Sequence, residues 1–398
     1  MTRVEKKLIE ITDVLKKNQC TDPGLLTGNI GVAIFLAYIK HNESSDLSEA
    51  MEHALQKSLE TSGELAPRHM FANGYSGIGW GMSHLVSQNK IDADIEFLFE
   101  EIDEYLIMCL RDDFKSHTFD FMSGGLGVGI YFLDKLPDEK SKYHLEQIIF
   151  ELSENAVISN GQIKWLSSSP INENEKECNL GLAHGIPSII WFLSKCHEEK
   201  IEKDKCIFLI NGAVEWLMQQ KKSNHIVSKY PNAVSEQQSK EVAYEKQQQD
   251  MESRLGWCYG DLGIAMSIWQ AGKSLEREEW KKEAIDLMLH ASTRKELEIN
   301  GIVDAGICHG TAGIAHIFNK FYKETKLPVF KETANYWIDE TLKMARFEDG
   351  LAGFKCYYPE KGWVNEYGLL SGIAGIGLVL LNHISEDEPA WDRCLLLN

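Results

Sequence analysis

Apolar residues in this chain fall into two alternating kinds of segment. One kind is amphipathic. Val4, Leu8, Ile11 and Leu15 form a stripe at helical spacing, and Ile95, Leu98, Ile102, Leu106 and Cys109 form another. The other kind is apolar on most sides, as in Ile34-Phe35-Leu36-Ala37-Tyr38 and Leu378-Val379-Leu380-Leu381. A helix of the first kind covers a core and faces water, whereas one of the second kind is buried. The alternation predicts helical hairpins, each pairing an exposed helix with a buried one. No window alternates apolar and polar residues cleanly enough to predict a sheet.

Each buried segment opens on a Gly-x-x-Gly motif. The copies begin at Gly28, Gly74, Gly124, Gly185 (a degenerate copy), Gly260, Gly310 and Gly372, spaced 46 to 75 residues apart. A unit of about 50 residues is one hairpin with its loops. Seven hairpins could build an open solenoid or a closed ring. The buried segments are apolar on too many sides to line a concave surface in water. The expectation is therefore an all-α fold, an α/α toroid of seven inner and seven outer helices, formed as a single domain over 1–398. Most of the glycines then serve packing, because the inner helices start close together at one end, where only small residues fit. The widest interval contains a polar insertion at about 221–250, running from Lys221 to Asp250. It reads as a surface loop or a solvated helix, with a lid as the sharper alternative.

Charge narrows the partners. The net charge of −19 repels phosphate backbones, which argues against nucleic acid and would steer in a basic peptide or a cationic small molecule. No run reaches the roughly 18 apolar residues of a membrane span. The start, Met1-Thr2-Arg3-Val4-Glu5-Lys6-Lys7, lacks a signal peptide's apolar core. Nine scattered cysteines, an odd number, point to reduced thiols and a cytoplasmic location.

The chemistry lies just before the glycines. If the repeats are equivalent, Cys258, Tyr259, Cys308, His309 and His184 converge on one rim, because each stands one or two places before an anchor glycine. Two Cys and one His suit Zn²⁺, and three protein ligands are the pattern of an open, catalytic site. The blander readings are a closed structural zinc, with His184 or Cys178 as fourth ligand, or two buried free thiols. His184 stands where other copies carry small or polar residues, which marks it as an acid or base, although a lone His is more often structural. Asp120, four places before Gly124, is either a charge partner for a catalytic cation or a helix cap. Arg254, four before Cys258, points to the same rim or forms a surface ion pair. Tyr259 is a second acid or a packing residue.

At Trp257-Cys258-Tyr259-Gly260, Cys308-His309-Gly310 and Leu182-Ala183-His184-Gly185, with the seven glycine motifs running over essentially the whole chain, the sequence resembles the lanthionine synthetase C-like family, the cyclases of lantibiotic biosynthesis. The resemblance implies an α/α toroid around a zinc ion held by Cys258, Cys308 and His309. It also implies that His184 is the catalytic His, that Asp120 matches the family's Asp, and that Arg254 matches the Arg before Trp-Cys. The early repeats leave no room for the small inserted domain of some members. The expected reaction adds a Cys thiol of a dehydrated precursor peptide to dehydroalanine or dehydrobutyrine, closing a (methyl)lanthionine thioether ring. His184, and after it Tyr259, is expected to protonate the enolate. Arg254 would stabilise its oxygen, and Asp120 would orient Arg254 or His184. No redox cofactor or nucleotide is needed. A dehydratase and a peptide transporter are the implied partners.

Three other readings stay open. Glutathione-type thiol addition to dehydroamino acids would use the same residues. A non-catalytic, zinc-stabilised helical scaffold for a peptide-modification complex would need only the ligands. A zinc prenyltransferase subunit would need an Asp in the zinc shell and a basic pocket, and both the acidic charge and the Cys₂His set speak against it.

Overall fold

Thr2 opens the first helix with a capping box: its hydroxyl accepts from the Glu5 amide at 3.2 Å, and the Glu5 carboxylate accepts from the Thr2 amide at 2.6 Å. The helix that follows, α1 (Arg3–Lys16), buries the predicted stripe of Val4, Leu8, Ile11 and Leu15. The same pattern recurs along the chain. The computed structural model describes residues 1–39, 45–66, 68–168, 176–222, 227–235 and 252–398. Seven amphipathic helices occur among them: α1, α3 (Ser45–Glu64), α5 (Glu96–Lys115), α7 (Glu139–Glu154), α9 (Lys203–Gln219), α11 (Glu278–Ser292) and α13 (Pro328–Lys343). They alternate with seven buried ones: α2 (Asn29–Ile39), α4 (Tyr75–Ser87), α6 (Gly125–Asp134), α8 (Ile186–Glu198), α10 (Asp261–Ser274), α12 (Thr311–Thr325) and α14 (Ile373–Ile384). None of the described helices is long and apolar enough to cross a membrane.

The helices form two compact units. The first comprises Met1–Leu106 and Ile302–Asn398, the second Ile107–Gly301. In the first unit the buried helices pack side by side in the order α12, α14, α2, α4; in the second the order is α6, α8, α10. The C-terminal 3₁₀ turn (Trp391–Leu395) is locked onto the first unit by a buried polar cluster. Asp392 Oδ2 accepts from His316 Nε2 at 3.0 Å and from Lys320 Nζ at 3.1 Å, and all three residues are at most 5% exposed.

Every buried helix begins directly after its anchor glycine, and the reason is steric. At all seven anchors an added Cβ would lie 2.0–2.6 Å from the carbonyl oxygen of the residue six places earlier. The loop therefore folds back on the helix start and leaves no space for a side chain. Gly260 carries an additional constraint, a φ of +94°. The second glycine of the motif is as tightly placed: a Cβ on Gly313 would stand 1.8 Å from the Ile307 carbonyl oxygen. Gly313→Ala is expected to destabilise the protein by about 1–3 kcal/mol through this overlap. A lowered denaturant midpoint at unchanged slope would show it.

Backbone bonds then link neighbouring loops. In the first unit the amides two places before the anchors donate to the carbonyls two places before the next anchors. Cys308 donates to Leu370 at 3.0 Å, Leu370 to Leu26 at 2.7 Å, and Leu26 to Ala72 at 2.9 Å. In the second unit Ala183 donates to Cys258 in the same way at 3.3 Å. The loops thus share one backbone pattern, in which Cys308 takes part through its amide and Cys258 through its carbonyl.

Short antiparallel strands add to the helical plan. One hairpin pairs β1 (Val157–Ser159) with β2 (Gln162–Lys164) across Asn160-Gly161, both at positive φ, the preferred two-residue turn. A three-stranded sheet runs β3 (Ser167–Ser168), β4 (Lys176–Asn179), β5 (Ala233–Ser235). A last hairpin pairs β6 (Cys356–Tyr358) with β7 (Gly362–Val364). Strands of two to four residues are too short to show an alternating pattern, so the sequence did not predict them. The polar insertion supplies β5; its residues 223–226 and 236–250, where the lid alternative falls, lie outside the described residues.

Candidate functional site

The second unit brings three predicted residues together. Asp120 stands in the loop before α6. Its Oδ1 accepts from the Ser123 amide at 2.7 Å and the Ser123 hydroxyl at 3.0 Å, and its Oδ2 accepts from His184 Nδ1. The helix cap weighed for Asp120 is not formed, since the N-cap of α6 is Gly124, with no side-chain cap; one carboxylate oxygen ties the Ser123 turn and the other pairs with His184. His184 precedes α8, and with Nδ1 committed to Asp120 its Nε2 is the nitrogen available to a substrate. Burial opposes a charge on this imidazole. The hydrogen bond and charge of Asp120, with Cys258 behind them, more than offset that, so the His184 pKa lies above its ordinary 6.5.

Tyr259 completes the group. Its ring centroid is 6.0 Å from that of His184, at a tilt of 32°. The phenol oxygen accepts from Asn179 Nδ2 at 3.0 Å, and Asn179 Oδ1 accepts from the Gly181 amide at 2.8 Å. Burial raises the phenol pKa above 10; the Asn179 bond pulls it down, while Cys258 and Asp120 push it up. Tyr259 therefore keeps its proton at neutral pH. Asp120, His184 and Tyr259 line one cleft of about 400 Å³.

Cys258 sits at the end of the same loop and is 5% exposed. Its neighbour Trp257 is fully buried, edge-on to Phe121 with centroids 6.4 Å apart. Behind the loop, buried Asp261 accepts from the amides of Lys229 at 3.0 Å and Tyr230 at 3.1 Å, and it pairs with Arg294 Nη1 at 3.0 Å. Arg294 Nη2 also donates to the Ser253 carbonyl at 2.8 Å. Removing one partner of such a buried pair typically costs about 3–5 kcal/mol, so this contact fixes the approach to Cys258 firmly. Arg254 behaves differently. It is exposed and forms no hydrogen bond or ion pair with Asp120, His184 or Tyr259.

The first unit holds Cys308 and His309, both partly exposed, in the loop before α12. Asp304, 3% exposed, shapes that loop. Its Oδ1 accepts from the Gly306 amide at 2.9 Å; its Oδ2 accepts from the Tyr357 amide at 3.0 Å and the Cys356 thiol at 3.3 Å. Ile307, just before them, is fully buried, whereas Cys308 and His309 are partly exposed.

Asn179, Asp261 and Arg294 escaped the sequence reading. Two of them left signals. Asp261 is the one acidic residue directly after any of the seven anchors. Asn179 occupies the position six before its anchor, as Asp22 and Asp304 do, and all three side chains accept from the amide two residues on. Arg294 lies just past the end of α11, after its cap Thr293, with no motif to mark it.

Residues 19–396 match the family model described as lanthionine synthetase C-like protein, and the chain belongs to that family. Its described helices, seven amphipathic ones alternating with seven buried ones, give the all-α pattern expected of that family. A curated relative is the nisin biosynthesis protein NisC of Lactococcus lactis subsp. lactis, 23% identical over 403 residues, which cover 94% of this chain and 88% of the relative. A solved nisin cyclase shares the fold, with a TM-score of 0.77 at 20% identity over 99% of this chain and 96% of that one. A more distant likeness, with a TM-score of 0.50 at 8% identity over 96% of this chain and 99% of the other, is to an inactive variant of the α-1,6-mannanase GH76A of Salegentibacter sp. HEL1_6.

Proposed function

We propose that this protein is a zinc-dependent peptide cyclase that closes lanthionine or methyllanthionine rings in a dehydrated precursor peptide; the solved structure that shares its fold is named a nisin cyclase. The observation that carries the reading is the His184–Asp120 pair beside Tyr259 in one cleft, built on the same repeat loops that carry the cysteines. We assign Cys258, Cys308 and His309 as the metal ligands. They are the two cysteines and the histidine that stand one or two places before the anchor glycines Gly260 and Gly310. Two thiolates and an imidazole are a soft-to-borderline donor set that fits Zn²⁺ and leaves a fourth position for a substrate.

When bound, the ion would lower the pKa of a substrate thiol, as a coordinating metal does. The thiolate sulfur then forms a bond to the β-carbon of the dehydroamino acid. The C=C electron pair moves onto the α-carbon and carbonyl as an enolate, and a proton must arrive at Cα. His184 supplies it from Nε2, because Asp120 favours the charged imidazolium and holds the ring by Nδ1. Tyr259, kept protonated, is the alternative donor. Arg254, exposed and uncommitted to the acid pair, is the cation we assign to the enolate oxygen. The whole chain acts as one domain in this reading, in the cytoplasm, with a dehydratase and a peptide transporter as partners.

The competing addition of an external thiol is separable by intact mass. With a dehydrated, Cys-containing peptide and glutathione present together, ring closure leaves the peptide mass unchanged, whereas external addition raises it by one glutathione. A product carrying glutathione would replace the cyclase reading.

A further inference from the structure

The cleft that holds His184 extends past the acid pair into a part that the proposed chemistry does not use. Its floor is apolar: Phe119, Trp165, Ile186 and Ile189 line it, each at most 7% exposed. The Trp165 indole is fixed by donating Nε1–H to the Leu152 carbonyl at 2.8 Å, so this floor is preformed. Its side wall is strand β3, whose residues Ser167 and Ser168 both line the cleft. In the three-stranded sheet β3 is terminal, paired to β4 through Ser167↔Glu177 and Ser168↔Lys176 and unpaired on its other edge among the described residues. An apolar floor beside an open strand edge is the arrangement that takes an extended peptide: the edge binds backbone, and the floor selects alternate side chains. The volume of about 400 Å³ lies at the small end of the roughly 300–1,000 Å³ typical of ligand sites, which suits one or two side chains.

We infer that this part of the cleft is a specificity subsite of the cyclase: it takes an apolar side chain of the substrate peptide adjacent to the dehydroamino acid whose Cα is protonated at His184, with the peptide backbone laid along β3. The inference rests on the cyclase reading. The occupant is placed by continuity, since Asp120, His184 and Tyr259 line the same cleft as the floor. A side chain neighbouring the reacting residue is therefore the group that reaches Trp165.

Two synthetic peptides test it. Each carries one dehydroalanine and one Cys, and they differ only in the residue after the dehydroalanine, Leu in one and Gly in the other. Wild-type enzyme is expected to show kcat/KM at least about tenfold higher for the Leu peptide, expressed in KM, the size of effect an apolar pocket gives. Ser168→Trp, which fills the cleft from the exposed side, and Ile189→Ala, which loosens its floor, should each bring the ratio below about threefold. Because the ratio is taken on one enzyme preparation, partial unfolding of a variant cancels. Equal turnover of the two peptides by wild type, or an unchanged ratio in both variants, overturns the subsite and leaves the cyclase reading standing. Turnover of neither peptide by wild type overturns both.

Discussion

His309→Ala is expected to lose its zinc. Purified wild type should carry close to one Zn²⁺ per chain, and the variant well below that, as measured by elemental mass spectrometry. Loss of a residue that only hydrogen-bonds to a ligand typically weakens metal binding about 10–100-fold, so deletion of a direct ligand should exceed the upper end of that range. Cyclisation should fall with the metal. Cys258→Ala and Cys308→Ala are expected to behave alike, because both cysteines occupy the same place in their repeats: two residues before the anchor glycine, with the backbone tied to the neighbouring loop. Full zinc occupancy in His309→Ala would remove this residue from the ligand set. The Cys₂ pair would then need another partner, and Cys178, buried on β4, is the thiol that the sequence first offered.

The second large effect is at His184. His184→Gln should keep its zinc and still bind peptide, yet lower kcat by about 10²–10⁴-fold, the usual contribution of a positioned general acid. Asp120→Asn should act in the same direction through a different cause. In the wild type the carboxylate raises the His184 pKa, so the acid form persists above the ordinary value of 6.5, and kcat falls only as the pH rises through the raised pKa. Without that charge the pKa drops, and the alkaline limb of the kcat profile should move to lower pH. An unmoved limb in Asp120→Asn would show that Asp120 serves only to cap the Ser123 turn. Undiminished kcat in His184→Gln would pass the proton to Tyr259.

The repeat was the legible part of this chain. Gly-x-x-Gly marked seven helix starts correctly because the constraint is local: the loop folds onto the helix, and any side chain at the anchor would meet a carbonyl oxygen. Counting back from those glycines placed His184, Tyr259 and Asp120 on adjoining loops, and their contacts follow from the equivalence. What the count missed is whatever the repeats do not share. The strands between α7 and α8 are two to four residues long, so Trp165, Ser167 and Ser168 carried no periodic signal, although they wall the cleft. Asn179 was hidden in the same stretch. Arg294 acts across 33 residues on Asp261, a pairing that no local pattern encodes. Arg254 shows another limit: its offset from Cys258 allowed either a rim position or a surface ion pair, and its exposed side chain bonds to none of Asp120, His184 and Tyr259.

The activity proposed for this chain is thioether closure within one peptide. The direct measurement is a count of free thiols by alkylation and mass spectrometry on a dehydrated, Cys-containing peptide incubated with zinc-loaded enzyme. The peptide mass is expected to stay constant while alkylation is lost progressively, at a rate that falls sharply in His184→Gln. A zinc-loaded wild type that leaves every thiol open to alkylation would contradict it.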